Sequence, residues 1–244
     1  MPRFRQAGTR AKGFSLAQTD ASCPTLSPET ARDRCATIRE QLSRANLFGS
    51  PSAVPLQVSA SDLQAVTSWR VSPCPLYLSS EQLRFFTDLG PHLLSFYRVL
   101  NRLYTESVKG IQPTWVAGYL DQGKPAALVQ YSRMKRFRDL LPAVIRPDII
   151  PTQDGMMITE LDSVPGGIGL TACLSRIYHD LDGNHAQIIG GPHGMIRGFA
   201  RMLRSLQDQQ GGCIAILVSD ESKDYRPEMS WLAAQLREEG LSVW

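Results

Sequence analysis

Several charged residues lie close together between residues 146 and 162. Arg146 and Asp148 precede a short apolar run, and Glu160 and Asp162 end the next one. A guanidinium binds a carboxylate through two parallel hydrogen bonds, and a carboxylate binds an ammonium group as its counter-charge. Charged residues at a strand end, followed by a flexible glycine segment, therefore form a candidate binding site.

The segment after these acids, Ser163-Val164-Pro165-Gly166-Gly167, is also a candidate for binding. Its proline and glycines cannot continue a strand, but they leave backbone N–H groups free to bind an anion or a carboxylate. The glycines of PGGIGL do not have the spacing of a dinucleotide fingerprint. The same pattern is equally typical of a hairpin, a surface turn and a helix whose charged groups only face water, and both interpretations stay open.

A hairpin and a helix must position these residues. Thr152-Gln153-Asp154-Gly155 predicts a tight turn that joins a strand at residues 148–150 to a strand at 156–161. Because side chains alternate along a strand, Glu160 and Asp162 are expected on the same side of it. Apolar residues at helical spacing between Leu170 and Leu181 predict the helix that follows the glycines.

Upstream of the hairpin the sequence predicts mainly helices. Ser27 is suited to be the N-cap of a helix over residues 28–47, and a short helix is expected at 61–69. A long apolar stripe from residue 83 to 104, interrupted at Gly90-Pro91, predicts a helical core layer. Two apolar runs, 115–120 and 126–131, predict a second hairpin.

A basic cluster, Ser132 to Arg138, follows that predicted hairpin. Such a charge run is most often the solvated face of a helix. Salt bridges, or binding of a substrate carboxylate, are the alternatives.

The last residues predict a β-α-β unit. The apolar run 213–219 predicts a strand covered on both faces, a helix follows from Pro227, and residues 241–244 begin a second strand parallel to the first. The predicted fold class is thus α+β to α/β, with a helical N-terminal layer, a mixed sheet containing the hairpin, and this C-terminal unit. We expect a disordered basic tail at 1–26, a helix-rich substrate-pocket region at 27–210, and the beginning of an incomplete α/β domain at 211–244.

Composition excludes several classes of function. The chain has 244 residues, 43% of them apolar, and a formal net charge of +3. That charge resides in the first twenty residues, so the remainder is neutral and no nucleic-acid surface is predicted. No apolar run is long enough to span a bilayer, and we expect a cytoplasmic protein without a membrane partner. The acid-poor tail leaves a transit peptide as the alternative.

The cysteines and histidines do not predict a metal site. Five cysteines and four histidines are scattered without ligand spacing, and neither a disulfide framework nor a zinc site is indicated. Cys173 and Cys213 are predicted to be core thiols. His185 and His193 flank a Gly-Gly-Pro turn, where solvated loop residues are the simpler interpretation.

The sequence RPDIIPTQDGMMITELDSVPGGIGL, with the later apolar run, the YRPEM loop and its helix, resembles the N-terminal region of circularly permuted ATP-grasp proteins related to glutathionylspermidine synthase. The resemblance extends over residues 113–244. Glu160-Leu161-Asp162-Ser163 stands where such proteins often carry an Asn-Asp pair.

This resemblance implies an ATP-dependent carboxylate–amine ligase, which activates a carboxylate as an acyl phosphate that an amine then attacks. The chain would supply an acceptor-substrate pocket and a pre-ATP-grasp-like layer, while ATP and Mg²⁺ would bind to elements after residue 244, so that the chain alone is inactive.

Within such a pocket, Arg146 would bind a substrate carboxylate, Asp162 or Glu160 an amine, and Gly166 and Gly167 would donate backbone N–H groups. Asp148 and Ser163 belong to the same set. An ion pair of Arg146 with Asp148 or Glu160 is the structural alternative for that arginine. The alternative function is a non-catalytic module that binds a small ligand or a peptide at the glycine loop.

Overall fold

The computed structural model of the protein describes residues 25–48, 70–153, 155–183, 187–207 and 212–244. Within them lie seven α-helices and one two-stranded antiparallel sheet, so the mixed α+β class is confirmed. The predicted tail up to residue 24, the predicted helix at 61–69 and His185 lie outside the described residues. The elements are α1 (Pro28–Arg44), α2 (Ser80–Val108), α3 (Trp115–Asp121), α4 (Ala126–Ser132), β1 (Arg146–Thr152), β2 (Gly155–Asp162), α5 (Ile168–Asp182), α6 (Gly194–Leu206) and α7 (Arg226–Glu238).

The chain divides into two compact units. As far as it is described, the first unit is Leu78–Val164, and the second combines Ser22–Tyr77 with Pro165–Trp244. The boundary predicted at residue 211 falls inside the second unit.

The long helix α2 dominates the first unit. A capping box starts it, because Ser79 accepts a hydrogen bond from the backbone of Gln82 while the Gln82 side chain bonds back to Ser79. The helix runs through Pro91 without a break. Its predicted role as a core layer is wrong, since only Leu93 and Ser107 of this helix are buried.

The hairpin predicted at residues 115–131 is also wrong, because both runs are short helices, α3 and α4. A side chain at the end of α2 stabilises the start of the first of them. The buried Ser107 hydroxyl donates to the Pro113 carbonyl at 2.6 Å and accepts from the Ala117 N–H at 3.0 Å, thereby satisfying a free donor of the first turn of α3. Pro125 directly precedes α4.

The hairpin of β1 and β2 is confirmed, with strands longer than predicted. Gly155 has a φ of +123° at the turn, a conformation that favours glycine. The predicted mixed sheet is not seen in the described part of the chain, where the sheet contains these two strands.

The second unit is built around α5, which packs against α1, α6 and α7. The predicted N-cap Ser27 accepts from Thr30 N–H and starts α1. Ile38 and Leu42 of α1 meet Cys173 and Ile177 of α5 in one buried cluster. On α7, the residues predicted to face inward are all buried: Met229, Leu232, Ala233 and Leu236.

The parallel pairing predicted for the C-terminal β-α-β unit is confirmed, but it is limited to one bridge. Ile214 and Val243 form a single parallel bridge on either side of α7. The expectation that residues 213–219 are covered on both faces is wrong, because Cys213, Ala215 and Ser219 are exposed and Leu217 is 91% exposed.

The cysteines differ from one another in environment. Cys173 is a buried core thiol as predicted, and burial raises its pKa to about 11. Cys213 is exposed, contrary to prediction, since it lies just before the bridge, outside the packed layer. Cys74 takes part in a disulfide bond, which the sequence did not indicate.

Of the helices described, none combines the length and apolarity that crossing a bilayer requires.

Candidate functional site

The register of the hairpin brings four charged residues to one end of it. Arg146 lies opposite Asp162, and Asp148 lies opposite Glu160. A bulge follows, because Ile149 pairs with Ile158 and leaves Thr159 as the extra residue. Cross-strand partners and alternate residues of a strand share a face, so these four side chains belong to the same face of the sheet.

Arg146 and Asp162 form the fixed half of this site. The Arg146 Nη1 donates to Asp162 Oδ2 at 2.9 Å and to the Val164 carbonyl at 3.3 Å. The other oxygen of Asp162 accepts the backbone N–H groups of Ser163 at 2.6 Å and Val164 at 3.0 Å. The sequence left open an ion pair of Arg146 with Asp148 or Glu160, whereas the structure pairs it with Asp162.

These bonds keep the Asp162 carboxylate ionised. The hydrogen bond from the Val164 N–H lowers its pKa, partial burial opposes this, and the Ser163 N–H and the Arg146 charge lower the pKa further. Both side chains of the pair remain about one-third exposed, at 37% and 35%. Asp162 thus has its charge satisfied by the protein, while Arg146 keeps guanidinium N–H groups that have no partner among the described residues.

Asp148 and Glu160 form the open half of the site. Both are exposed, and neither takes part in an ion pair within the described residues. Like charges directly opposite each other across two strands repel, and a bound cation relieves that repulsion. The arrangement therefore favours a positively charged group at this position.

Aromatic side chains lie beside Glu160. Glu160, Phe96 and Tyr97 line a shallow cavity of about 390 Å³ together with Leu100 and the neighbouring residues of β2. The two rings meet edge to face with centroids 6.2 Å apart, and the Tyr97 hydroxyl is 3.3 Å from Ser163 Oγ. A carboxylate beside aromatic rings is a combination that recognises ammonium groups.

Phe96 and Tyr97 were not predicted as site residues. Phe96 was assigned to the apolar stripe of a core layer, yet its side chain is 48% exposed. The apolar spacing gave no signal for Tyr97, because it lies four residues after Leu93 and three before Leu100 and so belongs to the same stripe.

The predicted glycine donors lie in the second unit, in contact with that unit's own side chains. Gly167 is the N-cap of α5 with a φ of +83°, and an added Cβ on Gly166 would lie 3.0 Å from the Tyr225 ring. The Leu170 N–H, in the first turn of α5, donates to Glu228 Oε1 at 3.1 Å. Glu228 is 7% exposed, so a buried carboxylate of the protein satisfies one backbone donor in the first turn of α5.

A further polar cluster of the second unit has a structural role. Arg34 pairs with Asp182 at 2.5 Å and donates to the Pro73 carbonyl at 2.8 Å, and both charged side chains are 17% exposed. The Tyr178 hydroxyl donates to the Ser72 carbonyl at 2.8 Å, and burial raises the pKa of this tyrosine. These bonds fasten residues 72–73 to α1 and α5.

Metal binding finds no support in the part of the chain that is described, where no group of three or more histidine, cysteine or acidic side chains is placed to hold an ion. In comparisons with known proteins, no family model, no curated protein and no solved structure matches this chain.

Proposed function

We propose that this chain binds the amine acceptor of an ATP-dependent carboxylate–amine ligase, with the end of the hairpin and the adjacent part of α2 as the binding site. The observation that carries the proposal is the Glu160 carboxylate, which forms no ion pair among the described residues and lies at a cavity lined by Phe96 and Tyr97. A primary ammonium group fits this site because it is a cation with N–H donors for the carboxylate and a charge for the rings.

Asp148 adds a second negative charge across the strands from Glu160. The Arg146–Asp162 pair contributes in a different way, because it fixes the chain at the end of β2 and leaves part of the guanidinium free for a carboxylate of the substrate. In this proposal an ammonium group and a carboxylate bind to the same face of the hairpin, which restricts how they can move relative to each other.

Among the described residues no group of three or more histidine, cysteine or acidic side chains is placed to hold a metal ion. No step of the proposed function is therefore assigned here to Mg²⁺ or to ATP. The part played by these residues is to bind and orient the acceptor.

Calorimetric titration with 1,4-diaminobutane tests the proposal. We expect saturable binding that Glu160→Gln weakens about tenfold or more, since a lost charged hydrogen bond is worth about 1.5–3 kcal/mol. Asp88→Asn is the matched control, because Asp88 is an exposed carboxylate on the same helix as the two aromatic residues and does not line the cavity. Equal weakening by both variants would show that the amine responds only to net charge.

A second measurement separates the ligase from a non-catalytic module. The full-length protein is supplied with ATP, Mg²⁺, a carboxylate and the amine, and amide formation is followed by mass spectrometry. Amide formed by the unaltered protein and lost in Glu160→Gln supports the ligase. Binding of the amine without any amide supports a small-ligand or peptide-binding module instead.

A further inference from the structure

A second cavity of the first unit has a chemistry opposite to that of the hairpin end. It has a volume of about 620 Å³ and lies between the C-terminal half of α2 and residues 132–138. Four cationic side chains line it, and no carboxylate is among the lining residues: Lys109, Arg133, Lys135 and Arg138. This volume is within the range of small-molecule sites, about 300–1,000 Å³.

Arg133 is held in place before any ligand arrives. Its Nε donates to the Tyr104 hydroxyl at 3.2 Å, and its Nη2 donates to Asp121 Oδ2 at 2.5 Å. Tyr104 in turn donates to the other oxygen of Asp121 at 2.8 Å. The Arg133 Nη1 has no partner among the described residues, so a fixed guanidinium offers free donors to the cavity at a small entropic cost.

The charge balance of the cavity is positive. Burial acts to raise the pKa of Asp121, but the hydrogen bonds from Tyr104 and Arg133 outweigh it, and this carboxylate stays ionised. The Asp121 carboxylate neutralises the charge of Arg133. Asp139 neutralises the charge of Arg138, since its Oδ2 lies 3.1 Å from Arg138 Nη2. Lys109 and Lys135 form no ion pair within the described residues, so their two charges have no counter-charge in direct contact.

Aromatic contacts hold Phe137, which also lines the cavity. The Phe137 ring lies 4.6 Å from the Tyr131 ring between centroids, and the Arg136 guanidinium lies 4.5 Å from the centre of Phe137. The segment is also tied to α2, because Asn101 Nδ2 donates to the Leu140 carbonyl at 2.8 Å. Arg133 and Arg136 are therefore held by specific contacts, whereas Lys135 is exposed.

We propose that this cavity binds a small molecule bearing two linked phosphate groups. A diphosphate carries several negative charges and many acceptor oxygens, so it matches one pre-positioned guanidinium and two lysines that form no ion pair among the described residues. A nucleic-acid backbone fits less well, because Glu106 and Asp139 line the adjoining cavity along α2 and interrupt the basic surface.

Inorganic pyrophosphate is the probe, titrated calorimetrically into the full chain, with citrate as a carboxylate of similar charge. We expect pyrophosphate to bind about tenfold more tightly than citrate. We also expect Lys109→Gln and Lys135→Gln each to weaken it about fivefold to tenfold. Lys124→Gln is the matched control, since Lys124 is exposed in the same unit and does not line the cavity. It should leave the affinity unchanged.

Three results would overturn the inference: citrate bound as tightly as pyrophosphate, the same loss in Lys124→Gln as in the cavity variants, or affinity unaffected by both cavity lysines. A fourth contrary result is that a single-stranded oligonucleotide binds more tightly than pyrophosphate and that the cavity variants lose this binding. The ligand of the cavity would then be a nucleic acid and not a small molecule. Because these exposed lysines pack against no core, circular dichroism of the variants should match that of the unaltered protein.

Discussion

In the second unit α5 is surrounded by α1, α6 and α7, and the helices bury a continuous set of aliphatic side chains. In the first unit α2 packs mainly on the short helix α3. The buried apolar residues described in this unit are Leu93 of α2 and Ala117 of α3. Most of the large apolar side chains that stay exposed belong to this first unit. Apolar content alone therefore does not produce a core; helices must also be long enough and arranged to cover one another.

The same contrast separates structural charges from available ones. In the second unit, charged groups that are partly or fully buried pair within the unit, as in Arg34 with Asp182 and Glu228 with the Leu170 N–H. Asp182 Oδ2 and Arg176 Nε are nevertheless buried without a hydrogen-bond partner among the described residues. The first unit leaves Glu160, Lys109 and Lys135 without an ion pair at its cavities, as far as the chain is described. Both proposed sites therefore lie in the first unit, which has fewer buried apolar side chains.

The largest difference between the two units is expected in the unfolding free energy lost when a leucine is shortened to alanine. Leu236→Ala removes a fully buried side chain of α7 and should cost about 2–5 kcal/mol of unfolding free energy. Leu83→Ala, on α2, removes a side chain that is 42% exposed and should cost less than about 1 kcal/mol. Urea denaturation followed by circular dichroism gives both values. Equal costs would mean that α2 is better covered than the contrast between the units implies.

An intermediate effect is expected at Glu228. Glu228→Ala leaves the Leu170 N–H without its buried partner and should cost about 1–3 kcal/mol. Glu228→Gln keeps an acceptor oxygen but loses the charge at the helix N-terminus, so it should cost about 0.3–1 kcal/mol. The exposed Glu238→Ala serves as control, with a change within about 0.5 kcal/mol. A neutral Glu228→Ala would show that water replaces the carboxylate without penalty.

The smallest effect concerns the pH dependence of the hairpin end. The folded-state pKa of Asp162 lies below its ordinary value of 3.8, so its stabilising contribution is complete above that value. It is lost as the pH falls through the folded-state pKa. Amide chemical shifts of Ser163 and Val164 should therefore titrate together below pH 3.8, and Asp162→Asn should abolish this titration. Titration above that pH in the unaltered protein would contradict the hydrogen bonding at this turn.

Local sequence signals predicted the elements that are stabilised locally. Ser27 identified the start of α1, and the Gly155 turn identified the hairpin. The apolar spacing from Leu170 to Leu181 identified α5. In each case the cap, the turn or the period lies within the element, so no distant residue is needed to recognise it.

The predictions that proved wrong concern segments whose structure depends on residues outside the segment. The runs at 115–120 and 126–131 are too short for their apolar pattern to distinguish helix from strand, and Ser107 stabilises the first turn of α3 from outside it. The run at 213–219 is as apolar as a buried strand, but only one face of it gains cover, with Ile214, Ile216 and Val218 partly buried.

The sequence by itself determined the mixed α+β class, the hairpin and the charged residues at its end, because these follow from turn chemistry and from residue types. The tertiary structure decided which charges remain available. The bulge after Asp148 sets Arg146 against Asp162 and leaves Asp148 opposite Glu160, and the Glu228 carboxylate reaches the Leu170 N–H from 58 residues away. Pairing of charges depends on distances of a few ångströms in the folded chain, which the order of residues does not contain.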